Sequence, residues 1–136
     1  MVKKRQRIKV PLICIVDDDE SVVESMVSLI QSVGYEAKGF VSAEHFLKSR
    51  QMYHTTCLIV DVRMPTIGGF ELQRRLAAGN CHIPTIFMTA YESDDIHIQA
   101  LQAQAAGVLC KPFSQESLFQ AVSSALASPP HFQQES

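Results

Sequence analysis

Between Pro11 and Ala127 the chain alternates short apolar runs with longer amphipathic stretches, and this alternation limits the fold more than any other feature. The runs at 12–16, 57–60, 85–88 and 108–110 are nearly continuous apolar sequence, rich in Ile and Val. Strands buried on both faces read this way, because neither face has to carry polar residues. The run at 35–40 differs, since Glu36 and Lys38 interrupt it. It is expected as an edge strand, where charges deter further pairing.

The intervening stretches have helical periodicity. Val22, Met26, Leu29, Ile30 and Val33 recur at helical spacing, and Gly34 stands where a C-terminal cap is wanted. Ser42 is placed as the N-cap of a short helix bearing Phe46 and Leu47. Further helices are expected over about 69–79, with Phe70, Leu72 and Leu76, over 94–105, and over 115–127 after a Ser114 cap. Strand and helix thus alternate five times, which makes a parallel sheet with helices on both faces. A chain of 136 residues is too short for an eight-stranded barrel of about 250 residues. An α/β fold with an open, doubly wound (βα)5 parallel sheet is the expected architecture, as one domain over 10–127.

Charge and composition remove several function classes. The net charge of −2 hides an asymmetry. Lys3, Lys4, Arg5, Arg7 and Lys9 lead the chain with no acid among them, and the remaining 7 basic residues face 14 acidic ones. An acidic body argues against direct nucleic-acid binding. The basic start is not a signal peptide, because Pro11 interrupts the apolar stretch and Asp17-Asp18-Asp19-Glu20 follows it. Residues 1–9 and 128–136 are expected as flexible tails. The longest apolar run, 12–16, is far short of the roughly 20 residues of a membrane helix. Cys14, Cys57, Cys81 and Cys110 lack metal-ligand spacing and suit reduced thiols of a cytoplasmic protein, and the five histidines are scattered without ligand spacing.

In open parallel sheets ligands bind beyond the carboxyl ends of the strands. Asp17, Asp18 and Asp19 follow the first run, Asp61 the third, Thr89 the fourth and Lys111-Pro112 the fifth. Asp19 and Glu20 suit the start of the first helix, where acids offset the N-terminal partial charge. Asp61 ends an apolar strand far in sequence from the helix near Gly69, so capping does not explain it. If the first and third strands are neighbours, Asp17, Asp18, Asp61 and Lys111 meet at one crevice. Three clustered carboxylates repel one another, and a hard divalent cation such as Mg²⁺, or Mn²⁺, relieves that. A carboxylate nucleophile, a lysine for phosphoryl oxygen and a hydroxyl donor form a set suited to accepting a phosphoryl group. There is no Gly-rich nucleotide loop, so ATP is not the expected donor.

At these residues the sequence resembles the receiver domain of two-component response regulators. Ile15-Val16-Asp17-Asp18-Asp19-Glu20-Ser21-Val22, Asp61-Val62-Arg63-Met64-Pro65, Met88-Thr89-Ala90 and Lys111-Pro112-Phe113 match its motifs in order. The wording is closest to receivers that precede helix-turn-helix transcription domains. The resemblance implies a flavodoxin-like strand order, 2-1-3-4-5, and a role in signal transduction. Asp61 would accept phosphoryl from a phosphohistidine of a sensor histidine kinase or phosphotransfer protein. Asp18, Asp61 and the Arg63 backbone carbonyl would ligate Mg²⁺, with Asp17 acting through metal-bound water. Lys111, across a cis bond to Pro112, would pair with the phosphoryl group, and Thr89 would move to hydrogen-bond it. Arg63 and Tyr91 stand where the family tunes the lifetime of the phosphoaspartate.

The sequence departs from the family pattern at three positions. Val108 replaces the aromatic that changes rotamer with the threonine, Gly107 replaces a polar residue before it, and Gly68 replaces an acid before Gly69. The expected function is a stand-alone phosphoacceptor that signals through an output protein, drains phosphate from a kinase, or forms a phosphorylation-dependent homodimer. It is not expected to be an enzyme beyond its own phosphotransfer and dephosphorylation. The alternatives are a pseudo-receiver acting by contacts alone and an aspartyl-phosphate phosphatase. The latter needs a general acid where this chain has Arg63, which cannot donate a proton at neutral pH.

Overall fold

In the computed structural model, which describes residues 10–127, five parallel strands form one sheet in the order β2-β1-β3-β4-β5. They are β1 (Leu12–Val16), β2 (Glu36–Phe40), β3 (Cys57–Asp61), β4 (Thr85–Thr89) and β5 (Gly107–Cys110). Helices α1 (Glu20–Ser32), α2 (Ala43–Ser49), α3 (Gly69–Ala78), α4 (Asp94–Gln102) and α5 (Gln115–Ala127) connect and flank them. The segments 1–9 and 128–136 lie outside the described residues. The flavodoxin-like order is therefore present, and β1 and β3 are hydrogen-bonded neighbours from Ile13↔Cys57 to Val16↔Val60.

Strands β1, β3 and β4 are buried at every position, as their unbroken apolar runs require. Alternate residues feed two separate cores. Ile13, Ile15, Ile59, Ile86 and Met88 meet Met26 and Ile30 of α1 and Leu118 and Val122 of α5. Cys14, Val16, Leu58, Val60 and Phe87 meet Phe46 of α2, Leu72 and Leu76 of α3 and Ile96 of α4. The edge reading of β2 is correct: Glu36, Lys38 and Gly39 are exposed and Phe40 alone in the strand is buried. The run at 108–110 holds the edge that the order 2-1-3-4-5 implies, but it is not buried on both faces as its apolar sequence suggested: Leu109 is buried and Val108 and Cys110 only half so.

Helix α1 is rotated from the expected stripe. Val33 is 48% exposed because it is the C-cap rather than a helical residue, and the chain reverses at Gly34 with φ of 101°. Val23 takes the buried place. It rests on Gly39 of β2, where a Cβ would collide with its Cγ1 and press on Val27 Cγ2 at 3.2 Å. Helix α4 ends at Gln102, short of residue 105, because Gln104 adopts a left-handed φ of 57°. Ser42, Ser93 and Ser114 cap α2, α4 and α5 through their hydroxyls. No described helix is long and apolar enough to cross a membrane. All four cysteines are free. Burial, with Cys14 nearby, pushes the Cys57 thiol up to about 12, so it stays protonated at neutral pH.

The Val23–Gly39 contact separates two glycines on opposite edges. Gly39→Ala is expected to lower stability by about 1–3 kcal/mol through overpacking. Gly107→Ala, whose Cβ would meet only Ile86 Cγ1 at 3.9 Å, should be neutral or slightly stabilising. Urea denaturation of the two variants checks the contrast.

Candidate functional site

The parallel topology brings the carboxyl ends of all five strands to one edge. Asp17 continues from β1, with its amide bonded to Phe40 O at 3.1 Å, and Asp61 closes β3. Asp17 is fully buried and Asp61 nearly so. The Lys111 ammonium, just beyond β5, donates to Asp17 Oδ2 at 2.8 Å and to Asp61 Oδ2 at 3.0 Å. Each carboxylate is held from its other oxygen by a backbone amide. Asp19 N donates to Asp17 Oδ1 at 2.9 Å, and Arg63 N donates to Asp61 Oδ1 at 3.2 Å. Asp18 is exposed at the rim, and one carboxylate oxygen from each of Asp17, Asp18 and Asp61 lies within 4.8 Å of the others. Asp19 is a cap instead, accepting from Ser21 N at 3.0 Å and Val22 N at 3.3 Å.

One cation shared by two carboxylates leaves the cluster short of positive charge. Burial raises the Asp61 carboxyl above its usual range, and the bonds from Lys111 and Arg63 N only partly offset this while Asp17 adds to it. Burial works to lower Lys111, but the two carboxylates outweigh it and hold the ammonium above its ordinary value. Three hard oxygen donors with surplus negative charge fit a small divalent cation such as Mg²⁺.

Thr89 is placed beside this cluster but its hydroxyl is turned away from it. Thr89 Oγ1 donates to Tyr91 O at 2.8 Å and accepts from Tyr91 N at 3.1 Å. The Tyr91 ring, 65% exposed, lies under the Arg63 guanidinium, whose central carbon is 5.5 Å from the ring centroid. The sequence nominates Arg63 and Tyr91 together by position, but not that the guanidinium lies over the ring. The signal was available, since each stands two residues beyond a strand-end residue of neighbouring strands, Asp61 and Thr89. The peptide bond between Lys111 and Pro112 is cis, as the resemblance implied.

The departures from the family pattern also find places in the structure. Val108 is paired across from Phe87 and rests against the α4 side of the core. At Gly68 a Cβ would stand 2.5 Å from Val62 O, and at Gly69 2.6 Å from Asp61 O. The loop after Asp61 folds back closely on its own carbonyls, so a side chain at either position would require the backbone to shift.

Comparison with known proteins agrees with this geometry. Residues 13–123 match the family model described as the response regulator receiver domain. The chain is 40% identical over 115 residues to the response regulator protein TmoT of Ectopseudomonas mendocina, covering 85% of this chain and 52% of that one. It is 38% identical over 111 residues to nodulation protein W of Bradyrhizobium diazoefficiens, covering 82% and 49%. Among solved structures, response regulator StyR superposes with a TM-score of 0.80 at 37% identity, over 87% of this chain and 60% of that one. The chain spans about half the length of the curated relatives it matches. The fold, the strand-end residues and these likenesses together make the chain a member of the response regulator receiver domain family of two-component signalling.

Proposed function

We propose that this receiver is a phosphoacceptor, with Asp61 the residue that carries the phosphoryl group. The observation that carries the reading is the Lys111 ammonium within 3.0 Å of the Asp61 carboxylate, at the open end of the sheet. A carboxylate oxygen of Asp61 attacks the phosphorus of a phosphohistidine. The new O–P bond forms as the N–P bond breaks, and the imidazole leaves. Later attack by water on phosphorus releases inorganic phosphate and restores the carboxylate. Lys111 is positioned to follow the charge on the phosphoryl oxygens, a stabilisation already present before reaction. Thr89 would supply a hydrogen bond once its hydroxyl leaves Tyr91.

Asp18, Asp61 and the Arg63 carbonyl are the proposed direct ligands of Mg²⁺, with Asp17 acting through water. When bound, the ion neutralises charge on the carboxylates and on phosphoryl oxygen. The phosphoryl donor would be a sensor histidine kinase or a phosphotransfer protein, in a cytoplasmic phosphorelay. An output protein, or use as a phosphate sink, accounts for the next step. The assignments of Arg63 and Tyr91 to phosphoryl lifetime rest on the same reading.

Acetyl phosphate with Mg²⁺ should label the wild-type chain and leave Asp61→Asn unlabelled; equal labelling of both overturns the proposal. Lys111→Met should slow labelling by about 10²-fold or more. Metal binding has its own readout. Mg²⁺ at about a hundredfold excess over its Kd should stabilise the wild type by about 2.7 kcal/mol in thermal melts, and Asp18→Asn should lose most of this gain.

The raised Asp61 carboxyl gives a pH prediction. The folded chain holds this proton more tightly than the unfolded chain, so ionising Asp61 costs stability. That cost is absent below the ordinary carboxyl value and complete above the raised one. Asp61→Asn should therefore melt above the wild type at pH 7 without metal, and the gain should shrink as pH falls toward 4. Melting curves across that range check the sign.

A further inference from the structure

The outer edge of β2 is open, because no described strand pairs with it. Glu36 N donates to Pro11 O and Phe40 O accepts from Asp17 N, so residues 36, 38 and 40 turn their backbone groups toward β1. A parallel ladder alternates along the strand. The carbonyl of Tyr35 and both backbone groups of Ala37 and Gly39 therefore point outward. Glu36 and Lys38 are exposed on the face that carries Phe40, where Lys38 Nζ donates to Gln51 Oε1 at 3.2 Å. Gly39 lies on the other face, beside a groove lined by Val23, Val27 and Val41. Val33 and Val41, 48% and 41% exposed, flank the two ends of the strand.

We propose that this edge is a docking surface for a second copy of the chain, paired antiparallel about a two-fold axis at Ala37. Charge complementarity selects both the partner and the register. Centring the pair on residue 36 sets Glu36 against itself, and centring it on residue 38 sets Lys38 against itself. Centring it on Ala37 sets Glu36 against the partner's Lys38 twice over, at the non-hydrogen-bonded pairs where side chains lie closest. Ala37 then exchanges both backbone bonds with the partner's Ala37, and Gly39 N donates to the carbonyl of the partner's Tyr35. Because Gly39 has no side chain, the partner's Tyr35 ring has room to lie across it beside the groove. The same register brings Val33 to the end of the interface held by the partner's Val41. A charged edge deters indiscriminate pairing, but these two charges match a copy of themselves. Two five-stranded sheets become one, and the antiparallel arrangement points the two Asp61 sites away from each other.

The pairing does not rest on the phosphoacceptor reading, and it is tested on the full 136-residue chain without Mg²⁺ or a phosphoryl donor. Sedimentation equilibrium up to about 1 mM protein should show a monomer–dimer equilibrium that weakens with added salt. Glu36→Lys or Lys38→Glu places like charges at both pairs and should weaken self-association about tenfold or more. Mixed in equal amounts, the two single variants should associate with each other, because every 36–38 pair is then opposite in charge. The double variant Glu36→Lys/Lys38→Glu restores opposite charges within one chain and should self-associate as the wild type does. A wild-type chain that stays monomeric overturns the proposal. So does a dimer indifferent to these substitutions, or a mixture of the two single variants that associates no better than either alone.

Discussion

The Lys111 ammonium between Asp17 and Asp61 is the interaction on which the site depends. It ties β5 to β1 and β3 across the end of the sheet. Two buried carboxylates side by side are unstable without such a partner, because burial and mutual repulsion both disfavour their charges. The lysine offsets this only in part, because burial still holds the Asp61 carboxyl above its usual range. The site thus retains an appetite for positive charge, which a divalent cation would satisfy. The same burial that makes Asp61 costly to ionise holds it beside the Lys111 ammonium.

Everything else in the fold serves to bring those residues to one edge. A parallel sheet with crossover helices puts every strand's carboxyl end on the same side. The two cores then lock the strands in register, with alternate residues of β1, β3 and β4 committed to opposite faces. A one-residue slip would turn these side chains to the wrong core, so the register that sets Asp17 against Asp61 is strongly specified. The edge strands carry less of this constraint, and they are where glycine and mid-strand charge appear, with Lys38 and Gly39 in β2 and Gly107 in β5.

Much of this was legible in the residues. Unbroken apolar runs announced the three central strands, serines and Gly34 marked helix ends, and the strand-end acids and lysine marked the site. The errors have physical causes. Val33 fits a helical period but lies at the cap, where period no longer decides burial. The run at 108–110 has the composition of a strand buried on both faces yet is only partly buried, because composition reports that a strand is apolar and not how far an edge position covers it. The Arg63–Tyr91 stack depends on side-chain direction across two loops, which spacing along the chain does not encode.

The glycine pair after β3 has a wider consequence. With backbone filling the space at 68 and 69, that wall of the pocket is main chain in this protein, and a side chain there would require the loop to shift. Side-chain chemistry at this mouth is supplied instead by the exposed Arg63 and Tyr91, which lie one over the other.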